Sequence, residues 1–147
     1  MTERDNCEIP MYKTPDNEAW EILKNIKSIA VVGMSTNPEK PGHYVPAYLL
    51  EKGYRIFPVN PSAAGKVILG QKVYSNLNEI PGEVDAVEVF RPSDEVSQIA
   101  DEAVKKGAKI LWMQTGIVNN EAAQKAQRAG MKVIMDKCMM ALHKAKS

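Results

Sequence analysis

The sequence predicts a doubly wound, mostly parallel α/β sheet with helices on both faces. Three observations lead there. Short unbroken apolar runs such as Ile29-Ala30-Val31-Val32 are too brief for buried helices and rich in β-branched residues, as strands covered on both sides are. Between them lie stretches whose apolar residues recur at helical spacing. Glycine, proline and asparagine mark the changeovers. Right-handed crossovers between such strands leave a doubly wound sheet as the main topology.

Taken in order, residues 1–13 are polar, without a period, and are expected to lie on the surface; residues 14–147 form a single domain. Thr14-Pro15-Asp16 reads as a cap followed by a helix-starting proline, and Trp20, Leu23 and Ile26 mark a covering helix. The first strand ends at Gly33. A second helix follows Pro41-Gly42, carries Val45, Ala47 and Leu49 with Pro46 tolerated in its first turn, and stops at Gly53. Residues 54–59 read as the next strand, with Pro58 near its end and Asn60-Pro61 turning out of it. Residues 67–69 and 72–74 suggest one small edge strand before the turn signals Asn76, Asn78 and Pro81-Gly82. Residues 86–90 are a strand, and Ser93 is expected to cap a helix bearing Val96, Ile99, Ala100 and Ala103 that Gly107 closes. Residues 109–113 form a strand, Asn120 caps a helix stopped by Gly130, residues 133–135 are the last strand, and a short helix follows Cys138.

Composition narrows the function. With 19 basic and 18 acidic residues in 147, the net charge is +1 and no run of either sign stands out, so nucleic acid and anionic membranes are not suggested. The two cysteines, Cys7 and Cys138, make no disulfide framework and suit a reducing compartment. No apolar run approaches membrane-spanning length and the first residues lack a signal-peptide core, so the expected location is cytoplasmic.

In a doubly wound sheet, ligands bind beyond the carboxyl ends of the strands. The first tip reads Gly33-Met34-Ser35-Thr36: a glycine lets a ligand approach the backbone, two hydroxyls stand beside N–H groups, and the next helix points its positive end at the same spot. This is a phosphate cradle, although Gly33 also has a plain reading as a turn residue. The three-glycine dinucleotide fingerprint is missing, and Asn60-Pro61 stands where an acid would hold an NAD ribose. An amide there does not repel a phosphate, and Lys66 and Arg91 lie near the same edge, unless they are ordinary solvated charges. The site favours a nucleotide with an extra phosphate, coenzyme A or NADP.

Together IAVVGMS, the following Pro-Gly, PVNP with a glycine and lysine downstream, VDAVEVFRP, WMQTGI and MDKC resemble the small stand-alone CoA-binding domain proteins. These are similar in fold to the Rossmann-like CoA-binding domain of the succinyl-CoA synthetase α subunit. The resemblance implies that Gly33, Met34, Ser35 and Thr36 hold the pyrophosphate, and that Asn60, Pro61 and Lys66 lie by the ribose phosphate. Val89, Phe90, Arg91 and Pro92 would flank the adenosine, with Gly116 and Ile117 along the path to the pantetheine. The synthetase subunit carries a second domain with a phosphorylated histidine, and since the likeness ends near its first-domain boundary, this chain is not expected to run that reaction alone. His43 and His143 sit in no motif that would make either a phosphate carrier. The expectation is a protein that binds CoA or an acyl-CoA with no catalytic constellation of its own, the alternatives being an NADP-dependent oxidoreductase or a CoA-responsive partner of an acyl-CoA enzyme.

No nucleophile–base pair and no metal-spaced His and Cys cluster is visible in the sequence. Cys138 is the one candidate for redox reactivity. A neighbouring lysine and a helix N-terminus both favour a thiolate, against a plain reading as a small buried hydrophobe.

Overall fold

A computed structural model describes residues 9–147; Cys7 lies outside them. The helix α1 (Asp16–Asn25) leads into β1 (Ser28–Val32), every residue of which is buried. The helix α2 (Pro41–Glu51) and β2 (Arg55–Val59) follow, then a two-residue hairpin, β3 (Val67–Ile68) and β4 (Gln71–Lys72). The remainder is β5 (Ala86–Val89), α3 (Val96–Lys106), β6 (Ile110–Met113), α4 (Asn120–Arg128), β7 (Lys132–Ile134) and α5 (Met139–Lys146).

The five long strands form one parallel sheet in the order β2-β1-β5-β6-β7. This is the doubly wound, Rossmann-like fold, with its topological switch between β1 and β5. Because side chains alternate along a strand, each face has its own core. Val87, Val89, Leu111 and Met113 pack beneath α3 and α4, while Ile29, Val31, Trp112 and Ile134 pack beneath α1, α2 and α5. On the second face the His143 ring meets the rings of Trp20, Tyr48 and Tyr54 edge-on, and its Nδ1 lies 2.8 Å from the Tyr48 hydroxyl. One histidine thus ties α5 to α1, α2 and the start of β2.

Several local expectations are corrected. Thr14 is buried and makes no capping bond; Pro15 occupies the cap position of α1 in an extended conformation. Asn119, not Asn120, caps α4, its Oδ1 accepting from the Ala122 N–H. Asn120 instead holds the segment before α1, its side chain accepting from Met11 N–H and donating to the Ile9 carbonyl. Ser93 opens a 3-10 turn rather than capping α3, and its hydroxyl accepts from the Val118 N–H. The expected single edge strand is a hairpin, turned by Leu69 and Gly70 with φ of 54° and 74°, as a tight hairpin turn requires. One further parallel bridge, Val59 to Tyr74, lays the chain along β2. The expected and observed ends of the five strands of the parallel sheet differ by at most one residue.

At the amino ends of the strands Asp85 acts as a staple. Its carboxylate accepts from the N–H groups of Lys27 (2.7 Å) and Ser28 (3.2 Å), and its own N–H donates to the Ser28 hydroxyl. Burial works against the charge, but these bonds hold the carboxyl below its ordinary range. A depressed carboxyl contributes stability that is present at neutral pH and lost as pH falls through the native value. Asp85→Asn should therefore cost about 1–2 kcal/mol at pH 7. The difference should shrink at pH 3, as read from urea unfolding of both proteins at each pH.

Candidate functional site

A cleft of about 610 Å³ opens over the carboxyl ends of β1, β5, β6 and β7, between the β1–α2 loop and the start of α5. Its near end is built from absent side chains. Gly33 has φ +91°, and a Cβ on it would come within 2.8 Å of Arg91 Cδ; its N–H donates to the Val59 carbonyl, joining the ends of β1 and β2. A Cβ on Gly42, in the first turn of α2, would come within 3.1 Å of the Gly33 carbonyl. Glycine at residue 42 therefore lets the helix seat its N-terminus closely on the strand tip.

The loop between them is tied down. Contrary to the sequence reading, the Ser35 N–H is taken, donating to the Gly42 carbonyl, while the Ser35 hydroxyl accepts from Asn37 N–H. His43 Nδ1 donates to the Ser35 carbonyl at 2.8 Å, so this histidine clamps loop to helix. Among the described residues, the N–H groups of Thr36 and Gly42 are left without a protein acceptor. Asn60 donates from Nδ2 to the Met34 carbonyl and accepts at Oδ1 from Ser62 N–H, locking the β2 tip to the same loop.

The charge of the cleft has one sign. Among the described residues, Lys40 and Arg91 line it and no carboxylate does. Arg91 is held in a fork by Glu95, with bonds of 3.1 and 2.9 Å, and both side chains are about half exposed. The pair orders the guanidinium more than it stabilises the fold. With the dipole of α2 aimed the same way, this end suits a polyanion. The far end is formed by Gln114, Thr115, Ile117, Cys138 and Met140. The turn carrying Cys138 is anchored by the Trp112 indole, which donates to the Lys137 carbonyl at 2.8 Å, and by Asp136, which accepts from Gly116 N–H at 2.6 Å. Cys138 is half-buried at the cap of α5. The Lys137 ammonium, expected beside that thiol, pairs instead with Asp16 of α1 at 2.6 Å.

Residues 27–144 match the family model for the CoA binding domain. The chain belongs to that family. It is 42% identical over 126 residues to the uncharacterized protein YneT of Bacillus subtilis, covering 86% of this chain and 92% of YneT. It is 34% identical over 128 residues to the α subunit of the ADP-forming acetate–CoA ligase I of Pyrococcus furiosus, but spans only 28% of that subunit. A solved structure from Thermus thermophilus, cell-free ID.343, superposes with a TM-score of 0.85 at 36% identity, covering 90% of this chain and 98% of that one.

Within this CoA binding domain the residues singled out from sequence fall into three groups. Gly33, Ser35, Thr36, Asn60, Phe90, Arg91, Ile117 and Cys138 line the cleft. Pro61 lines a smaller hollow of about 250 Å³ on the other side of Gly33 and Arg91. Met34 and Val89 are buried in the two cores, Pro92 is exposed beside Arg91, and Gly116 lies behind the cleft wall with its N–H spent on Asp136. Lys66 is exposed at the foot of the β3–β4 hairpin and borders neither cavity, because the loop after Asn60 carries it away from the strand tips. Lys40, which the sequence reading passed over, reaches the cleft as the cap residue of α2.

The residue most clearly missed is Glu88. It is fully buried in the middle of β5, in register with Val31 and Trp112. Among the described residues its carboxyl has one partner, Gln114, whose Nε2 meets Oε2, and its Oε1 is the one buried side-chain oxygen or nitrogen without a bond. Burial pushes its pKa up to about 8, against a smaller lowering by the Gln114 bond. The sequence did carry a signal: a lone acid in the run Ala86-Val87-Glu88-Val89-Phe90, where a strand covered on both faces has no place for one.

A carboxyl raised in the native state binds more protons folded than unfolded between its ordinary value of 4.5 and about 8. Its contribution to stability therefore falls as pH rises through that window and levels off above it. Glu88→Gln, which keeps the shape but does not titrate, should gain on the native protein by a few kcal/mol between pH 5 and pH 8.5. Urea midpoints of the two proteins at those pH values measure it.

Proposed function

We propose that this protein binds coenzyme A or an acyl-CoA in the cleft, with the pyrophosphate at Gly33, Ser35 and Thr36 and the thiol arm running toward Ile117 and Cys138. The observation that carries the reading is the close approach at Gly33 and Gly42, which leaves bare backbone and the N-terminus of α2 facing a cleft lined by Lys40 and Arg91 and by no acid. Phosphates are attracted and can come near the backbone. Membership of the CoA binding domain family supports the choice of CoA over NADP. Binding is the whole of the proposed activity. The chain spans about a quarter of the acetate–CoA ligase α subunits that it matches.

Calorimetric titration with CoA, dephospho-CoA, NADP and NAD at matched salt tests it. CoA should bind at least about tenfold more tightly than the other three, a difference of about 1.4 kcal/mol. NADP binding best would replace the reading with a nicotinamide one. Lys40→Ala and Arg91→Ala should each weaken CoA by about three- to tenfold. Lys66→Ala should stay within about twofold, since exposed and distant charges contribute little.

Cys138 at the far end supplies a second, covalent readout. Its thiolate attacks oxidised CoA, forming a protein–CoA disulfide and releasing one CoA thiol. Incubation with CoA disulfide should add one CoA to the intact mass. The adduct should be absent from Cys138→Ser and disappear on reduction.

A further inference from the structure

Glu88 and Gln114 have a chemistry that the binding reading does not use. Gln114 borders the cleft between the charged end and the sulfur-lined end, and one side of its amide is held by Glu88. The amide's other polar atom has no protein partner, yet it is not among the buried unbonded atoms, so it opens on the cleft. Geometry alone does not distinguish the oxygen of an amide from its nitrogen; the proton on the partner decides. An ionised Glu88 only accepts, so Gln114 must donate to it and show its oxygen to the cleft. A neutral Glu88 has one O–H to place and, among the described residues, Gln114 is the partner in reach, which turns the Gln114 oxygen inward and the NH₂ outward.

We propose, resting on the CoA reading above, that the protonation state of Glu88 sets whether Gln114 offers the ligand a donor or an acceptor. With Glu88 neutral, the Gln114 NH₂ donates to the carbonyl oxygen of an acyl thioester, making acyl-CoA the favoured ligand. The surroundings fit such a group. Ile117, Met140 and Cys138 form a largely apolar wall around this one polar atom, and Thr115, the other polar residue there, is exposed. A short acyl chain has one polar atom to satisfy, its carbonyl oxygen, and an apolar remainder to bury.

Charge from the neighbours does not set the state of Glu88. On the elements over this face the titratable groups are His43, Tyr44, Tyr48 and Glu51 of α2, His143, Lys144 and Lys146 of α5, Cys138 at its cap, and Asp16, Glu18, Glu21 and Lys24 of α1. The flanking strand residues, Val31 and Trp112, carry no charge. None of these groups acts on Glu88 through its charge; burial and the Gln114 bond are the causes of its shift. The orphaned Oε1 agrees: an unbonded carbonyl oxygen of a neutral acid is far cheaper to bury than an unbonded oxygen of a carboxylate.

The test compares two ligands that differ only at the carbonyl, acetyl-CoA and its thioether analogue S-ethyl-CoA, titrated calorimetrically at pH 6.5 and pH 9. Both carry the same phosphates and adenine, so titrations at that end of the ligand cancel in the ratio of their affinities, and Glu88→Gln reports any titration beside the acyl group other than that of Glu88. The native protein should prefer acetyl-CoA at pH 6.5, and that preference should fall about five- to tenfold by pH 9. In Glu88→Gln the ratio should be the same at both pH values. A purely structural role for Glu88 would alter stability but leave the ratio of the native protein flat. A flat ratio with both ligands bound, or a Glu88→Gln ratio that still falls with pH, overturns this proposal and leaves the CoA reading standing. Failure of CoA and both analogues to bind at either pH overturns the two together.

Discussion

Where β1 ends, three parts of the chain converge: the strand tip at Gly33, the first turn of α2 at Gly42, and the side-chain stem of Arg91 after β5. A β-carbon at residue 33 would push on the Arg91 stem, and one at residue 42 would crowd the Gly33 carbonyl. That constraint orients α2 toward the sheet edge, places Lys40 beside the cleft and holds Arg91 across the switch point. The hydrogen bonds of Ser35, His43 and Asn60 then fix a loop whose path the two glycines have already chosen. Positive potential and bare backbone thus arrive at one place from one packing requirement, and a polyanionic ligand is what that place can use.

The architecture was legible because its signals are local. The runs in β1 and β6 are apolar on both faces, as is β5 apart from Glu88, and Gly107 and Gly130 adopt the left-handed geometry that ends a helix. The caps were less so. Thr14 and Pro15, or Asn119 and Asn120, are near equals in sequence, and tertiary contacts choose between them: burial removes Thr14, and the segment before α1 claims Asn120. Ser93 reads as a cap, but the α4 approach supplies a better donor to its hydroxyl.

The same division runs through the site. Gly33, Ser35 and Thr36 are adjacent in the chain, so their association with the cleft needed only the strand-to-helix transition. Lys40 arrives through the seating of α2, and Lys66 is carried off by the length of a loop, neither of which a linear reading measures. Glu88 was in plain sight as an acid within an apolar strand. Its relation to Gln114, 26 residues on, depends on the β5–β6 register, which brings the end of one strand beside the other.

The way the sheet ends has its own consequence. A parallel sheet has two rims, and an unguarded rim is a template on which another chain can add a strand. Here β2 carries Pro58, with no N–H to offer, and the bridge at Tyr74 covers the adjoining stretch, where Tyr74 N–H takes the Pro58 carbonyl and Asn60 N–H takes the Tyr74 carbonyl. At the other rim β7 is three residues long and opens with an exposed lysine. The segment that follows the hairpin thereby occupies part of the β2 rim that would otherwise offer its backbone groups to another strand.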